Sequence, residues 1–282
     1  MEIIKSPKRM QKICLRLKQK GKIIGFVPTM GYLHQGHLSL MRIAKKKSDV
    51  LVVSIFVNPT QFGPKEDFKR YPRDLERDKR LVEKIGCDFL FCPKIKDMYP
   101  FGYKTYVEVC DLTKVLEGVS RPGHFKGVTT IVAKLFNIVQ PDIAVFGQKD
   151  FQQAVVLKKM VDDLNYSIKI IVAPTVREKN GLALSSRNLY LSSEQRKQAK
   201  VLYRALRLAR DMIKRGERDA NKIVSKMKAL INKQPLAQVD YIAITDANSL
   251  EPLNKLRGET LISLTVRFGN TRLIDNIKMN VS

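Results

Sequence analysis

Few residues in this chain can hold an anion or move a proton at a fixed place, and the most telling of them sit together. His34 and His37, two of only three histidines, stand either side of Gln35-Gly36 in the stretch Pro28-Thr-Met-Gly-Tyr-Leu-His-Gln-Gly-His37. Before them Ile23–Val27 is an apolar run; after them Leu38, Leu40, Met41 and Ala44 return at helical spacing,. A buried strand, a glycine-containing turn and a helix start bring free backbone N–H groups and the positive end of a helix dipole to one spot. Two imidazoles there can donate to phosphate oxygens. As a metal pair they would need a third ligand, and no carboxylate stands at zinc-site spacing. As purely structural residues they would leave an exposed turn unused. Position favours a nucleotide phosphate site.

Other groups of the same kind lie further along. Lys149-Asp150 follows the apolar run Ile143–Phe146 and opens a helix, so it is expected to share a crevice with the histidines,. Lys149 suits an ATP phosphate; Asp150 suits either Mg²⁺ or the helix cap, the commoner use. Of Gln152 and Gln153, one is expected to face the crevice and the other solvent. Ser185-Ser186-Arg187-Asn188 offers two hydroxyls and a guanidinium, a phosphate clamp or an ordinary capped turn,. Asn58 and Gln61, in a loop after another apolar strand, could pair with a small polar acid, or the loop could need no ligand. No serine sits on a G-x-S-x-G elbow, and neither a Walker loop nor G-x-G-x-x-G occurs,. The chemistry implied is positioning and charge stabilisation without a covalent enzyme intermediate.

The elements that must position these residues alternate. Helix from Ser6-Pro7 to Gly21, strand Ile23–Val27, helix to about Lys47, strand Asp49–Val57, helix from about Pro72 to Ile85 and strand Asp88–Phe91 follow one another,. Thr105–Val109 reads as an edge strand or hairpin arm, and Gly118–Gly127, with Arg121, His124 and Lys126, as a glycine-containing loop. Helix Val128–Val139, strand Ile143–Phe146, helix Phe151–Leu164 and strand Ile168–Val172 complete the alternation. This order predicts a Rossmann-like α/β fold, a doubly wound parallel sheet. From Pro174 the pattern changes to a polar stretch, two charged helices over about Ser193–Ile231 and three short strands near 240–245, 260–268 and 272–277. A smaller α+β C-terminal domain is expected, with domains 1–175 and 176–282, the second covering the active site.

Bulk properties narrow the classes. The 282 residues are 44% apolar, and no run approaches the roughly 18–20 apolar residues of a membrane span,. Met-Glu-Ile-Ile-Lys-Ser-Pro-Lys lacks the core of a signal peptide, so a cytoplasmic location is expected. Cys14, Cys87, Cys92 and Cys110 show no metal-site spacing and read as buried reduced thiols,. The net charge of +25 points to anionic partners,. The basic residues are spread over Lys45–Lys47, Arg70–Arg80, Arg196–Arg218 and Lys222–Lys228, mostly on polar helix faces. With no basic tail and no tryptophan, specific nucleic-acid binding is not expected.

The histidine stretch resembles the signature of the nucleotidyltransferase superfamily that includes class I aminoacyl-tRNA synthetases. The fuller set resembles the pantothenate synthetase (pantoate–β-alanine ligase) family: Phe56-Val-Asn-Pro-Thr-Gln-Phe62, Arg121-Pro-Gly-His-Phe125, Phe146-Gly-Gln-Lys-Asp-Phe-Gln-Gln153, Gly181-Leu-Ala-Leu-Ser-Ser-Arg-Asn-Leu-Tyr-Leu191 and Arg267-Phe-Gly-Asn-Thr-Arg-Leu-Ile-Asp275. The resemblance implies a two-step ligation. Pantoate carboxylate attacks the α-phosphorus of ATP·Mg²⁺, and the β-alanine amine then displaces AMP from the pantoyl adenylate. It implies His37, His34 and Lys149 as catalytic residues. ATP contacts fall on Met30, Gly31, Tyr32, Leu33, His34, Gln35, Gly36 and His37; on Gly147, Gln148, Lys149 and Asp150; on Val176 beside the adenine; and on Leu184, Ser185, Ser186 and Arg187. Leu184 stands where methionine is common, a backbone contact that tolerates the change. Gln61 and Gln153 hold pantoate, Gln61 also bordering β-alanine, with Asn58, Arg121 and His124 behind them or on the β-alanine side. A homodimer, no protein-held metal and no prosthetic group are implied. The competing readings are a nucleotidyltransferase that stops after transfer to an alcohol or phosphate, and a basic nucleic-acid-binding module.

Overall fold

The computed structural model describes residues 1–64 and 66–282. Over them the chain divides into two units: Met1–Gly147 with Gln153–Pro174, and Gln148–Gln152 with Thr175–Ser282.

The first unit is built on a six-stranded sheet. Its strands are β1 (Glu2–Ile4), β2 (Ile24–Thr29), β3 (Val50–Ile55), β4 (Phe89–Phe91), β5 (Ile143–Gly147) and β6 (Lys169–Ala173), in the order β1-β4-β3-β2-β5-β6. Every pairing is parallel. The connecting helices are α1 (Pro7–Gln19), α2 (Gln35–Lys46), α3 (Leu75–Lys84), the short α4 (Ile95–Met98) and α5 (Glu117–Ser120), α6 (His124–Val139) and α7 (Phe151–Asp163). The apolar strands are apolar because both faces are covered. Along β3, Val50 and Val52 join one core with Phe26, Phe91 and Phe136, while Leu51 and Val53 join the other with Val27, Leu38 and Met41,. From β2 the chain steps outward to β3 and β4, then returns to β5 on the other flank of β2. The direction of winding therefore reverses between β2 and β5, and ligands of open α/β sheets bind at the carboxyl ends beside such a reversal.

Several elements differ from the expected ones. The chain opens with β1, three residues too short to show a period, which pairs with β4. Residues 105–109 form no strand. Instead Thr130 Oγ1 accepts from Val107 N at 3.0 Å, and Thr129 Oγ1 donates to Val107 O at 2.6 Å, so hydroxyls of α6 take the place of a ladder. Helix α6 begins at His124, four positions before Val128, because Gly123 (φ +79°) turns the chain into it,. Cys14 and Cys87 are buried, but Cys92 is half-buried and Cys110 exposed, so the expectation of four buried thiols is corrected.

The second unit packs helices on an antiparallel sheet. After α8 (Ser193–Ala199) come α9 (Val201–Lys214) and α10 (Ala220–Ile231), three helices where two were expected, because the chain breaks at Lys200 between the first two. Strands β7 (Ala237–Asp246), β8 (Gly258–Phe268) and β9 (Thr271–Val281) follow, β8 central. Leu202, Leu206 and Ile213 of α9 and Ile223, Met227 and Ile231 of α10 share a core with Ile262, Leu264 and Phe268 of β8. In α9 the spacing of Leu202, Ala205, Leu206, Ala209 and Ile213 makes one apolar face,.

Candidate active site

The histidine turn leaves the carboxyl end of β2. Gly31 (φ +84°) and Tyr32 (φ +47°) both adopt left-handed backbone. At Gly31 a Cβ would lie 3.0 Å from Ile55 and 3.2 Å from Asp78, so a side chain there would meet both strain and crowding,. His34 then caps α2. Gly36 N donates to His34 Nδ1 at 3.1 Å, and His34 N donates to His37 Nδ1 at 3.3 Å. A ring nitrogen that accepts carries its lone pair, so these partners assign the proton of each neutral ring to Nε2. The two rings lie 4.0 Å apart, tilted by 31°. The turn therefore places two Nε2–H donors at the N-terminus of a 12-residue helix, a site suited to oxyanions,.

What holds this turn was not read from the sequence. Asp78, on α3 and buried, accepts from Tyr32 N at 2.7 Å through Oδ2 and from Leu33 N at 2.8 Å through Oδ1. Burial pushes its carboxyl above the usual range, while the two N–H donors and Arg77 pull the other way,. Arg77 braces the same turn: its NH2 donates to Leu33 O at 2.8 Å and its guanidinium lies 4.8 Å over the Tyr32 ring,. One signal was available. Asp78 and Val82 are the buried residues of α3, four apart, so a carboxylate sits in the register of the helix's apolar face,.

Gln61 closes a single 3₁₀ turn, Pro59–Gln61, and is buried. Its Oε1 accepts from Asn58 Nδ2 at 3.1 Å, and its Nε2 lies 3.3 Å from Met30 Sδ, which joins this loop to the residue that begins the histidine turn. Asn58 also donates to Gly127 O at 3.0 Å and accepts from Tyr99 Oη at 2.8 Å. Helix α6 can approach this closely only with glycine at 127, where a Cβ would fall 2.3 Å from Thr60 O. His124 Nδ1 lies 2.8 Å from Gln61 O and its Nε2 3.0 Å from Arg121 NH1. A carbonyl only accepts and a guanidinium only donates, so His124 is neutral with its proton on Nδ1. Burial, then the Arg121 charge, lower its pKa from 6.5 to about 4. Arg121 is itself held by Glu66, at 2.8 Å from Nε and 2.6 Å from NH2. Asn58, Arg121 and His124 thus converge on the main chain and amide of Gln61.

Gln152 is buried and Gln153, in the first turn of α7, half-buried, so neither points fully into solvent as expected of one of them. Each stands one helical turn before a fully buried residue, Val156 and Leu157, so both lie along the covered side of α7,.

In the second unit, Gln148–Asp150 form a 3₁₀ turn in which Lys149 Nζ lies 3.3 Å from Asp150 Oδ1. Val176 and Leu184 are directly paired, Leu184 N donating to Val176 O at 3.0 Å. Ser185 caps the next turn by accepting from Arg187 N at 3.3 Å, and Asn188 ties it back through Ala183 O at 3.0 Å. The structure thus brings Met30, His34, His37 and Gln61 together in the first unit, and Val176 with Leu184–Arg187 in the second.

Comparison with known proteins agrees in sequence and in fold. The family model described as pantoate-beta-alanine ligase matches residues 2–278. The pantothenate synthetase of Moorella thermoacetica is 57% identical over 282 residues, covering 100% of both chains, and that of Syntrophotalea carbinolica 57% over 276 residues, covering 98% of each. The crystal structure of pantothenate synthetase from Thermus thermophilus superposes with a TM-score of 0.94 at 45% identity, covering 98% of this chain and 99% of that one. A pantoate-beta-alanine ligase from Francisella tularensis, complexed with beta-gamma ATP and beta-alanine, gives 0.80 at 38% identity, with 98% and 97% covered. Since both the family model and the relatives span almost the whole of it, this chain belongs to the pantoate–β-alanine ligase family and is an enzyme of the ligase class.

Proposed function

We propose that the histidine turn and the Gln61 loop carry this enzyme's reaction, the ATP-dependent condensation of (R)-pantoate with β-alanine to pantothenate through a pantoyl adenylate. The carboxylate of pantoate is already ionised at neutral pH, so the first step needs alignment and neutralisation of developing charge more than a base. His37 donates from Nε2 to the phosphates as an α-phosphorus–oxygen bond forms and pyrophosphate leaves, with His34 beside it. Lys149 adds its positive charge at the phosphates. The amine of β-alanine then attacks the acyl carbon of the adenylate; the C–N bond forms, the C–O bond to phosphate breaks, AMP leaves and the amine proton goes to solvent.

ATP enters with Mg²⁺ as part of the substrate. Its contacts are Met30–His37, Gly147–Asp150, Val176 at the adenine and Leu184–Arg187. Gln61 and Gln153 hold pantoate, and Gln61 borders β-alanine. The enzyme works as a cytoplasmic homodimer with domains 1–175 and 176–282, without a prosthetic group, a protein-held metal, nucleic acid or a membrane as partner. Among the described residues no helix is long and apolar enough to cross a membrane.

The observation that carries the site assignment is the paired acceptance by His34 and His37 Nδ1, which leaves each Nε2–H as a donor at a helix start. The test is AMP release with ATP, Mg²⁺, pantoate and β-alanine, each omitted in turn. AMP should require all four. Steady pyrophosphate release without an amine, with AMP left bonded to the acceptor and none set free, would instead indicate a transferase that stops after nucleotidyl transfer.

A further inference from the structure

Asp275, which ends the C-terminal motif, and its neighbour Asn276 have no part in the chemistry above, yet both are buried. Asn276, on β9, donates through Nδ2 to the main-chain carbonyls of Gln148 at 3.0 Å and Lys149 at 2.9 Å. Both amide hydrogens are thereby used, and the orientation of the amide is fixed. Turned over, its oxygen would face two carbonyl oxygens. Asn276 Oδ1 is left buried without a hydrogen-bond partner, a cost that folding alone gives no reason to accept,.

Asn276 is braced from behind. Asp275 Oδ1 accepts from Asn276 N at 2.8 Å. Arg177 grips both Asp275 oxygens, at 2.5 and 2.9 Å, and also donates to Gly181 O at 3.2 Å. The Arg177 guanidinium stacks 4.0 Å over Tyr203, whose ring leaves no room for a Cβ at Gly181, 2.5 Å away. A buried ion pair adds little net stability over apolar packing of the same volume, but a bidentate one fixes direction. All these contacts lie within the unit that contains both Gln148–Gln152 and residues 175–282. The segment bearing Lys149 is therefore held by Asn276 to the C-terminal sheet, although its neighbours in sequence, Gly147 and Gln153, belong to the other unit.

We propose that Asn276 is a positioning residue for Lys149. By holding the carbonyls of Gln148 and Lys149 it sets the main-chain direction from which the Lys149 ammonium is presented, and the Arg177–Asp275 pair keeps Asn276 in place. The proposal rests on the reading that Lys149 meets the nucleotide phosphates.

The test is pantoate-dependent exchange of labelled pyrophosphate into ATP by the full-length enzyme, in Asn276→Asp, Asn276→Ala, Lys149→Ala and the double variant Asn276→Ala with Lys149→Ala. Amide hydrogen exchange of residues 148–152 is followed in parallel. Asn276→Asp, which turns a carboxylate oxygen toward two carbonyls, should slow pyrophosphate exchange at least 10-fold; Asn276→Ser replaces it if the aspartate variant does not fold. Adding Asn276→Ala to Lys149→Ala should lose nothing further. The amides of residues 148–152 should exchange faster while those of β7 and β8 stay unchanged. Equal losses from Asn276→Ala in both backgrounds would overturn the proposal, because Asn276 would then act other than through Lys149. Unchanged amide exchange at 148–152 would also overturn it, by removing the clamp. Full activity of Lys149→Ala would defeat the phosphate reading and the proposal with it, while faster amide exchange in Asn276→Ala would still show that Asn276 clamps the segment.

Discussion

His124→Gln tests whether the ring beneath Gln61 is kept neutral by the fold. In the native protein its pKa lies near 4 against 6.5 for the free side chain, first because burial disfavours the cation and second because Arg121 faces it,. Between those values the unfolded chain binds the proton and the folded protein does not, so stability must rise with pH across the window from 4 to 6.5 and be lost as pH falls through it,. Integrating between pH 7 and pH 4.5 with those two values gives about 2.4 kcal/mol of stability lost through this one group,. Urea unfolding followed by far-ultraviolet circular dichroism at the two pH values measures it, since every other titrating group is common to both proteins. The parent should lose about 2.4 kcal/mol more than the variant on acidification. Any difference in stability between the two proteins at pH 7 cancels in the comparison. Equal pH dependence of the two proteins would refute the reasoning, because it would mean that His124 is no more reluctant to ionise folded than unfolded.

Two further outcomes follow from contacts in the first unit. Asp78→Asn keeps the shape of the carboxylate but can accept from only one of Tyr32 N and Leu33 N, turning an amide NH₂ toward the other. Loss of one bond to a charged acceptor is worth about 1.5–3 kcal/mol, so pantoate-dependent pyrophosphate exchange should fall roughly 10- to 100-fold; an unimpaired variant would mean the turn does not need the carboxylate. Among the thiols, Cys110 is exposed, whereas burial pushes Cys14 and Cys87 up to about 12 and Cys92 to about 11. An aromatic disulfide reagent at pH 8 should therefore release one equivalent rapidly from the native enzyme, and a second rapid equivalent would contradict this burial.

The sequence made most of the first unit legible because its signals are local. The apolar runs that became β2 and β3 record burial on both faces, and the helical spacing after His37 records a single apolar stripe in α2. The positions of the histidine turn and the Gln61 loop just after β2 and β3 were legible for the same reason: each follows directly on an apolar strand. What escaped were supports supplied from far along the chain. Asp78 meets Leu33 across 45 positions and Asn276 meets Gln148 across 128, and no period or spacing links such pairs. The start of α6 was misplaced by four residues because Gly123 and Gly127 looked like loop punctuation, whereas one turns the chain into the helix and the other lets it touch the Gln61 turn. Cys110 is expected in the interior with the other thiols, but the segment it ends forms no strand and leaves it in solvent.

In the proposed reaction the histidine turn stabilises charge during transfer of the adenylyl group to pantoate. Exchange of labelled pyrophosphate into ATP, measured with pantoate and without β-alanine in the parent and in His37→Ala, tests it most directly. The parent should exchange only when pantoate is present, and His37→Ala should exchange about 10²- to 10³-fold more slowly, as expected for loss of one donor to a developing oxyanion. Exchange at the parental rate in His37→Ala would mean that His37 does not stabilise the transferring phosphoryl group.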